Sequence, residues 1–407
     1  MSDVTSREVP PWGTFTDSMR AILVDLLLHG PLARAELARR LCLSPASLTK
    51  LTRPLIDLGL LAERDRELQP ETGRPSQPLE LVADCQHVVG VKINPEDLFA
   101  VKTDLRARVL GERHSRLRSH KPADVLEAIA SLVDKLDPNR EVGAVGVSLA
   151  ANIRPGEPVV RESPYLGWSH VPLAQLLAQR IRRSVVLSND VRALTAAQHW
   201  FGAGRESTCF AVITVGKGIG CGLVVNDAVV AGYDGHAGLV SHVPVHDGGP
   251  VCRRGHRGCA SAYLTSGAIV RAVAAAPVTD SSTAGWSSFS AALGAARSGS
   301  PPERRVFRDA CYALGVVTAV VANVIGPDRV VLSGEGIGLV DIAPDALQAG
   351  IDDHLHWGAS PFELDVQPFA FSEWARGAAA VAIQSLLRPP VGRATSPAAA
   401  RYNQEVL

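Results

Sequence analysis

Four short stretches of this chain carry residue types that could do chemistry. Leu187-Ser188-Asn189-Asp190 reads as a strand ending in an amide and a carboxylate. Two such groups side by side suit bidentate hydrogen bonding to vicinal hydroxyls. Asn or Asp at a helix start also serves as a cap, and both roles can hold at once. Ile213-Thr214-Val215-Gly216-Lys217-Gly218-Ile219-Gly220-Cys221-Gly222 is a Gly-rich strand-turn-strand. Its small residues either let the backbone approach a phosphate, with Lys217 as an anion ligand, or simply make a tight hairpin. Ser241-His242 precedes Cys252-Arg253-Arg254-Gly255-His256-Arg257-Gly258-Cys259. Of the seven cysteines, only Cys252 and Cys259 lie close enough to suggest a shared local site. Nearer the N-terminus, Ser44, Ser47, Thr49, Lys50 and Arg53 gather short polar and basic groups of the kind that enter a DNA groove from a helix.

These groups need elements to hold them. Residues 18–60 read as three helices. Met19 to His29 follows Ser18 as cap, with Ile22, Leu23, Leu26 and Leu27 on one face, and Gly30-Pro31 ends it. Arg34 to Leu41 is short. The third runs from Pro45 to Leu58 behind Ser44 as N-cap, and Gly59 stops it. The last two make a helix-turn-helix. Leu60 to Glu63 and Leu79 to Val82 then read as strands flanking the turn-rich Glu71 to Ser76, the pattern of a wing. Arg74, flanked by Gly and Pro, is slim enough for a narrow minor groove. Residues 34–53 net +4, within a segment 1–85 that nets −2. From residue 87 strand and helix patterns alternate to about 385, so the fold class is α/β in two lobes behind a winged helix-turn-helix. Residues 1–17 read as a flexible arm, 18–84 as the DNA-binding head, 85–387 as the α/β domain and 388–407 as a flexible tail.

Composition narrows the functions available. In 407 residues, 46% are hydrophobic, and 41 Lys+Arg balance 41 Asp+Glu. That excludes wholesale disorder and a uniformly basic nucleic-acid coat, so any DNA contact must be local. Seven cysteines are too sparse for a disulfide scaffold, the N-terminus has no signal-peptide core, and no apolar run reaches the roughly 20 residues of a membrane span. The expectation is a cytoplasmic protein without a membrane partner.

In this order and behind a winged helix, Ser163-Pro164-Tyr165-Leu166-Gly167-Trp168, Leu187 to Asp190, Ile213 to Gly222 and Ser241 to Cys259 resemble the ROK family (repressors, open reading frames and sugar kinases), over roughly residues 18–387 and closest to its regulator branch. The resemblance implies a two-lobed domain of the actin and hexokinase type. It matches Asn189 and Asp190 to the family's sugar-binding pair and His242 to a further sugar contact. It also implies a structural zinc held by one His and three Cys, at positions occupied here by His242, Cys252, Arg254 and Cys259. Arg254 cannot ligate, so His256 or His246 would have to substitute. Leu239 and Ser261 replace two acidic sugar contacts. The kinase phosphate turn Asp-x-Gly-Gly-Thr-Lys becomes Lys92-Ile93-Asn94-Pro95-Glu96-Asp97. Pro95 removes a donor, and Glu96 and Asp97 set negative charge where a polyanion would lie, which argues against ATP and against an enzyme.

The resulting expectation is a transcriptional regulator, a repressor in type, acting on operator DNA as a homo-dimer or homo-tetramer. Ser44, Ser47, Thr49, Lys50, Arg53 and Arg74 contact DNA, while Asn189, Asp190 and His242 contact a carbohydrate-like effector. His242, Cys252 and Cys259 are the candidate zinc ligands. An active ATP-dependent sugar kinase, or a domain that only oligomerises or docks a partner, are the alternatives.

Overall fold

The computed structural model describes residues 12–65, 67–68, 75–275 and 288–387. The head opens with α1 (Asp17–His29). Its cap is Thr16 and not Ser18, because Thr16 is extended and its hydroxyl accepts from the Met19 amide at 3.3 Å, whereas Ser18 already lies inside the helix. α2 (Arg34–Arg40) and α3 (Pro45–Asp57) follow. Ser44 caps α3 by accepting from the Ser47 amide at 3.1 Å, and Pro45 stands at its first position, where a missing N–H costs nothing. β1 (Leu61–Glu63), β2 (Glu67–Leu68), β3 (Pro75–Ser76) and β4 (Leu79–Leu81) form the wing. β1 pairs antiparallel with β4, and β2 with β3. Arg74 and most of the wing tip lie outside the described residues.

The sequence reading of residues 1–17 as an arm fails at its C-terminal end. Trp12 and Phe15 are buried edge to face, and Trp12 Nε1 donates to Gln86 Oε1 at 3.1 Å. Two aromatic side chains carry enough apolar area to hold this segment against the body. Residues 1–11 and the tail 388–407 lie outside the described residues.

Lobe 1 comprises β5 (His87–Ile93), β6 (Asp97–Thr103), β7 (Val109–Arg116), α4 (Pro122–Leu136), β8 (Val142–Leu149), β9 (Val160–Ser163), β10 (Trp168–Val171), α5 (Leu173–Ile181), β11 (Ser184–Asn189) and α6 (Asp190–Phe201). Lobe 2 comprises β12 (Phe210–Val215), β13 (Ile219–Val225), β14 (Ala228–Val229), α7 (Ala260–Leu264), α8 (Ser266–Ala275), α9 (Phe289–Arg297), α10 (Pro301–Ile325), β15 (Arg329–Ser333), α11 (Pro344–His354), β16 (Glu363–Val366) and α12 (Phe371–Leu387). The two five-stranded sheets have the same plan. In lobe 1 the order is β11-β8-β5-β6-β7, and in lobe 2 it is β16-β15-β12-β13-β14. In each, the first three strands run parallel and the last two are added antiparallel. β5 and β12 are central and covered on both faces, so they read as near-continuous apolar runs, interrupted by Lys92 in β5 and Thr214 in β12. α10 is long and apolar enough to cross a membrane, yet most of it is buried in the lobe 2 core.

The helices that follow the two sheets exchange lobes. α12, which leaves β16 of lobe 2, lies on β5 and β8 of lobe 1. α6, which leaves β11 of lobe 1, packs against β13 and β12 of lobe 2, and the two helices pack on each other. Gly90 and Gly146 make this possible. A Cβ on either would stand 2.1 Å and 1.9 Å from the carbonyl oxygens of Ala375 and Ala378, so only glycine lets α12 lie flush on the sheet. One continuous core then joins head and body. Ile22, Leu23 and Leu26 of α1 share it with Val88, Trp200 and Leu387.

Candidate functional site

The structure puts Ser44, Ser47, Thr49, Lys50 and Arg53 on the exposed side of α3, while Leu48, Thr52 and Leu55 bury the opposite side. The hydroxyls of Ser44 and Ser47 lie 2.9 Å apart, and Thr49 donates to the Pro45 carbonyl at 2.9 Å. The +4 count for residues 34–53 overstates the free charge, because acidic partners come from outside that window. Arg34 pairs with Glu63, Arg40 with Asp25 and Arg53 with Asp57, and Arg39 pairs with Glu36 inside it. Among the described residues, Lys50 is the only one of these five cations with no ion pair.

A cleft of about 550 Å³ separates the lobes. Asn189 and Asp190 line it at the junction of β11 and α6. Asn189 caps α6, accepting from the Arg192 amide at 3.2 Å and donating to the Ala151 carbonyl at 3.2 Å. Asp190 has both oxygens engaged. Oδ1 accepts from the Val191 amide at 2.9 Å, and Oδ2 takes the ammonium of Lys92, a residue only 3% exposed. The Lys92 Nζ also stands 5.0 Å from the centre of the Trp374 ring, at the start of α12. The turn after β5 and the turn after β12 are tied to each other. Lys217 of the β12–β13 turn pairs with Glu96 across the cleft at 3.3 Å, and Asp97 pairs with His114 at 2.7 Å. The Gly-rich stretch is a tight antiparallel hairpin closed by Val215 and Ile219. Burial, then the nearby Asp190 charge, pushes the Tyr165 phenol up, so it stays a donor. Burial alone pushes Arg192 down to about 10; it keeps its charge at neutral pH and donates to the Ile153 carbonyl at 2.9 Å.

His242 does not line this cleft. It sits with Cys252, His256 and Cys259, whose donor atoms all lie within 4.8 Å of one another. His242 Nδ1 is 3.4 Å from Cys259 Sγ and 3.9 Å from Cys252 Sγ, and His256 Nδ1 is 3.7 Å from Cys252 Sγ. Tetrahedral zinc with S and N donors sets ligand separations of roughly 3.3–3.8 Å; the 3.4 and 3.7 Å separations fall in that range and the 3.9 Å one lies just beyond it, so the four residues could hold the metal with small shifts. Burial first, and then the neighbouring His256 and Arg254, hold the His242 ring below the ordinary histidine range, which favours the neutral form that can donate a lone pair. His246 is not in the group; its Nδ1 accepts from the Gly248 amide at 3.2 Å. Arg254, at the place of the absent third cysteine, lines the cleft instead.

Residues 88–385 match the description "ROK family". The chain belongs to the ROK family. Within it, the N-acetylglucosamine repressor of Escherichia coli O157:H7 is 28% identical over 323 residues, covering 75% of this chain and 77% of the repressor. A ROK family transcriptional regulator described as a homologue of the E. coli MLC protein superposes with a TM-score of 0.79 at 23% identity, covering 91% of this chain and 96% of that one. A ROK glucokinase from Streptomyces griseus, solved with glucose and AMPPNP, gives a TM-score of 0.61 at 25% identity and covers 73% of this chain and 99% of its own. The two-lobed part is therefore the sugar-kinase-like ROK fold.

Sequence reasoning did not reach Lys92 or Trp374 as site residues, and it treated residues 92–97 only as a damaged phosphate turn. One signal was present: a lysine inside the apolar run Val88 to Ile93 must find a charged partner when buried. Which carboxylate that is, 98 positions away, is not written locally.

Proposed function

We propose that this chain is a sequence-specific DNA-binding transcriptional regulator, a repressor of carbohydrate-related genes controlled by a sugar-like effector in the interlobe cleft. The observation that carries the reading is the exposed polar face of α3 on a winged head fused to a ROK domain, the same order of parts as in the regulator of known structure. Ser44, Ser47, Thr49, Lys50 and Arg53 face the major groove and Arg74 the minor groove, with two heads of a homo-oligomer on two half-sites. Asn189 and Asp190 offer hydroxyl partners to the effector. Selection of genomic DNA fragments by the purified protein, followed by sequencing, tests this: recovery of a palindromic site is expected, and retention of no fragment above background overturns it.

The kinase alternative is disfavoured by Lys92, whose ammonium occupies the carboxylate that would have to accept a sugar proton. ATP-dependent phosphorylation of a panel of hexoses, lost on Asp190→Ala, would restore it. We further propose that His242, Cys252, His256 and Cys259 hold one structural zinc ion, which would tie the 242–259 loop together. Metal analysis of the purified protein is expected to give about one equivalent, falling below about 0.2 in His256→Ala.

A further inference from the structure

Lys92 touches the first residue of one helix and the fourth of another. Its ammonium is held by Asp190, where α6 begins, and lies over Trp374, in the first turn of α12. Both helices then leave the cleft and end on the head. α6 spans about 18 Å and α12 about 25 Å at the usual rise per residue. At the far end of α6, Trp200 enters the core shared with α1, and Phe201 packs against that core. Just beyond, Arg205 donates through Nε to the Leu28 carbonyl at 2.7 Å and through Nη2 to the same oxygen. Leu28 lies in the last turn of α1, whose carbonyls lack helical partners. At the far end of α12, the Leu386 carbonyl accepts from Arg20 of α1 at 2.5 Å, and Leu387 lies in the same core. Arg376 ties the two helices together, donating to the Phe201 carbonyl at 3.2 Å. One buried side chain thus joins the cleft ends of two helices whose other ends grip the same head helix by arginine-to-carbonyl contacts.

We propose that Lys92 is the switch of this molecule: a ligand that takes over Asp190 or covers Trp374 displaces the Lys92 ammonium from both, and α6 and α12 carry the change to α1 through Arg205 and Arg20. This deepens the proposed function, supplying the regulation of that same cleft. It satisfies the requirement that a ligand shift an equilibrium only through contacts that differ between two states, because the Lys92–Asp190 pair is present in one and absent in the other.

Hydrogen exchange by mass spectrometry on the full chain tests the relay without a known effector. Lys92→Met removes the ammonium and keeps the length of the side chain; Asp190→Asn is the second route to the broken pair should the first fold poorly. Either is expected to speed amide exchange in the last turn of α1 at least about threefold, with α10 in lobe 2 unchanged. In an Arg205→Ala background the same change is expected to add less at α1 than it does in the wild type, because only the Arg20 contact with α12 is left to carry it. Unchanged exchange in α1, an equal rise in α10, or strictly additive effects of the Lys92 and Arg205 substitutions would overturn the relay. The fragment selection on wild-type protein separates the outcomes. Failure to retain DNA removes the regulator reading and leaves the exchange result standing, whereas a failed exchange result with retained DNA removes only the relay.

Discussion

Lys92 is a charged side chain with almost no exposure, and such a group persists only with its charge compensated and its protons bonded. Asp190 meets that need, and the ring of Trp374 adds a favourable face for the cation. The same logic ranks the cations of the head. A lysine already paired within the protein must break that pair to meet a phosphate, whereas an unpaired one need not. Lys50→Ala is therefore expected to weaken binding to all DNA sequences alike and to lower the slope of log affinity against log salt by about one, read from gel-shift titrations at several salt concentrations. Arg53→Ala, which also frees Asp57, is expected to change that slope less. At the other end of the head–body junction, burial first and Lys102 second hold His87 below the ordinary histidine value of 6.5. The unfolded chain takes a proton that the folded chain refuses, so stability is full above that pH and falls as the pH drops below it. His87→Gln is expected to flatten thermal stability between pH 7 and pH 5 relative to the wild type.

The elements owe their positions to backbone contacts as much as to apolar stripes. Ala375 and Ala378 of α12 meet β5 and β8 at glycines, leaving no space for a methyl group. Gly90→Ala or Gly146→Ala must push α12 off the sheet, at a cost of about 1–3 kcal/mol or more, seen as a lower midpoint in thermal unfolding. The helices of the head and the central strands were legible in the sequence because a periodic or continuous apolar run marks each of them. β7 was not, since Val109 to Arg116 is an edge strand with most side chains in water, and its pattern resembles a loop. Trp12 and Phe15 misled in the opposite sense: two aromatics among prolines and charges look like an arm until the groove that receives them is known. Asn189 and Asp190 were readable from residue type at a strand end. The fourth member of the metal set was narrowed only to His256 or His246, because spacing alone does not say which ring turns inward.

At the scale of the whole molecule, two features escape a linear reading. The sheets repeat one another in order and direction, yet nothing in the sequence repeats at a fixed period, since the plan needs only apolar runs in the right succession. The head, which composition separates from the body near residue 85, shares its core with lobe 1 and α12. Two layers that share one core unfold together. Differential scanning calorimetry of the full chain is therefore expected to show head and lobe 1 melting in a single transition. A separate low-temperature peak lost on removal of residues 1–85, with the rest of the trace unchanged, would contradict this.

The same shared core sets terms for anyone building chimeras. A head grafted from another regulator at the compositional seam would arrive without the side chains that match Val88, Trp200 and Leu387, and without an acceptor placed for Arg205. The transplantable unit is larger and discontinuous: the head, the last turn of α12 and the Arg205 loop, moved together.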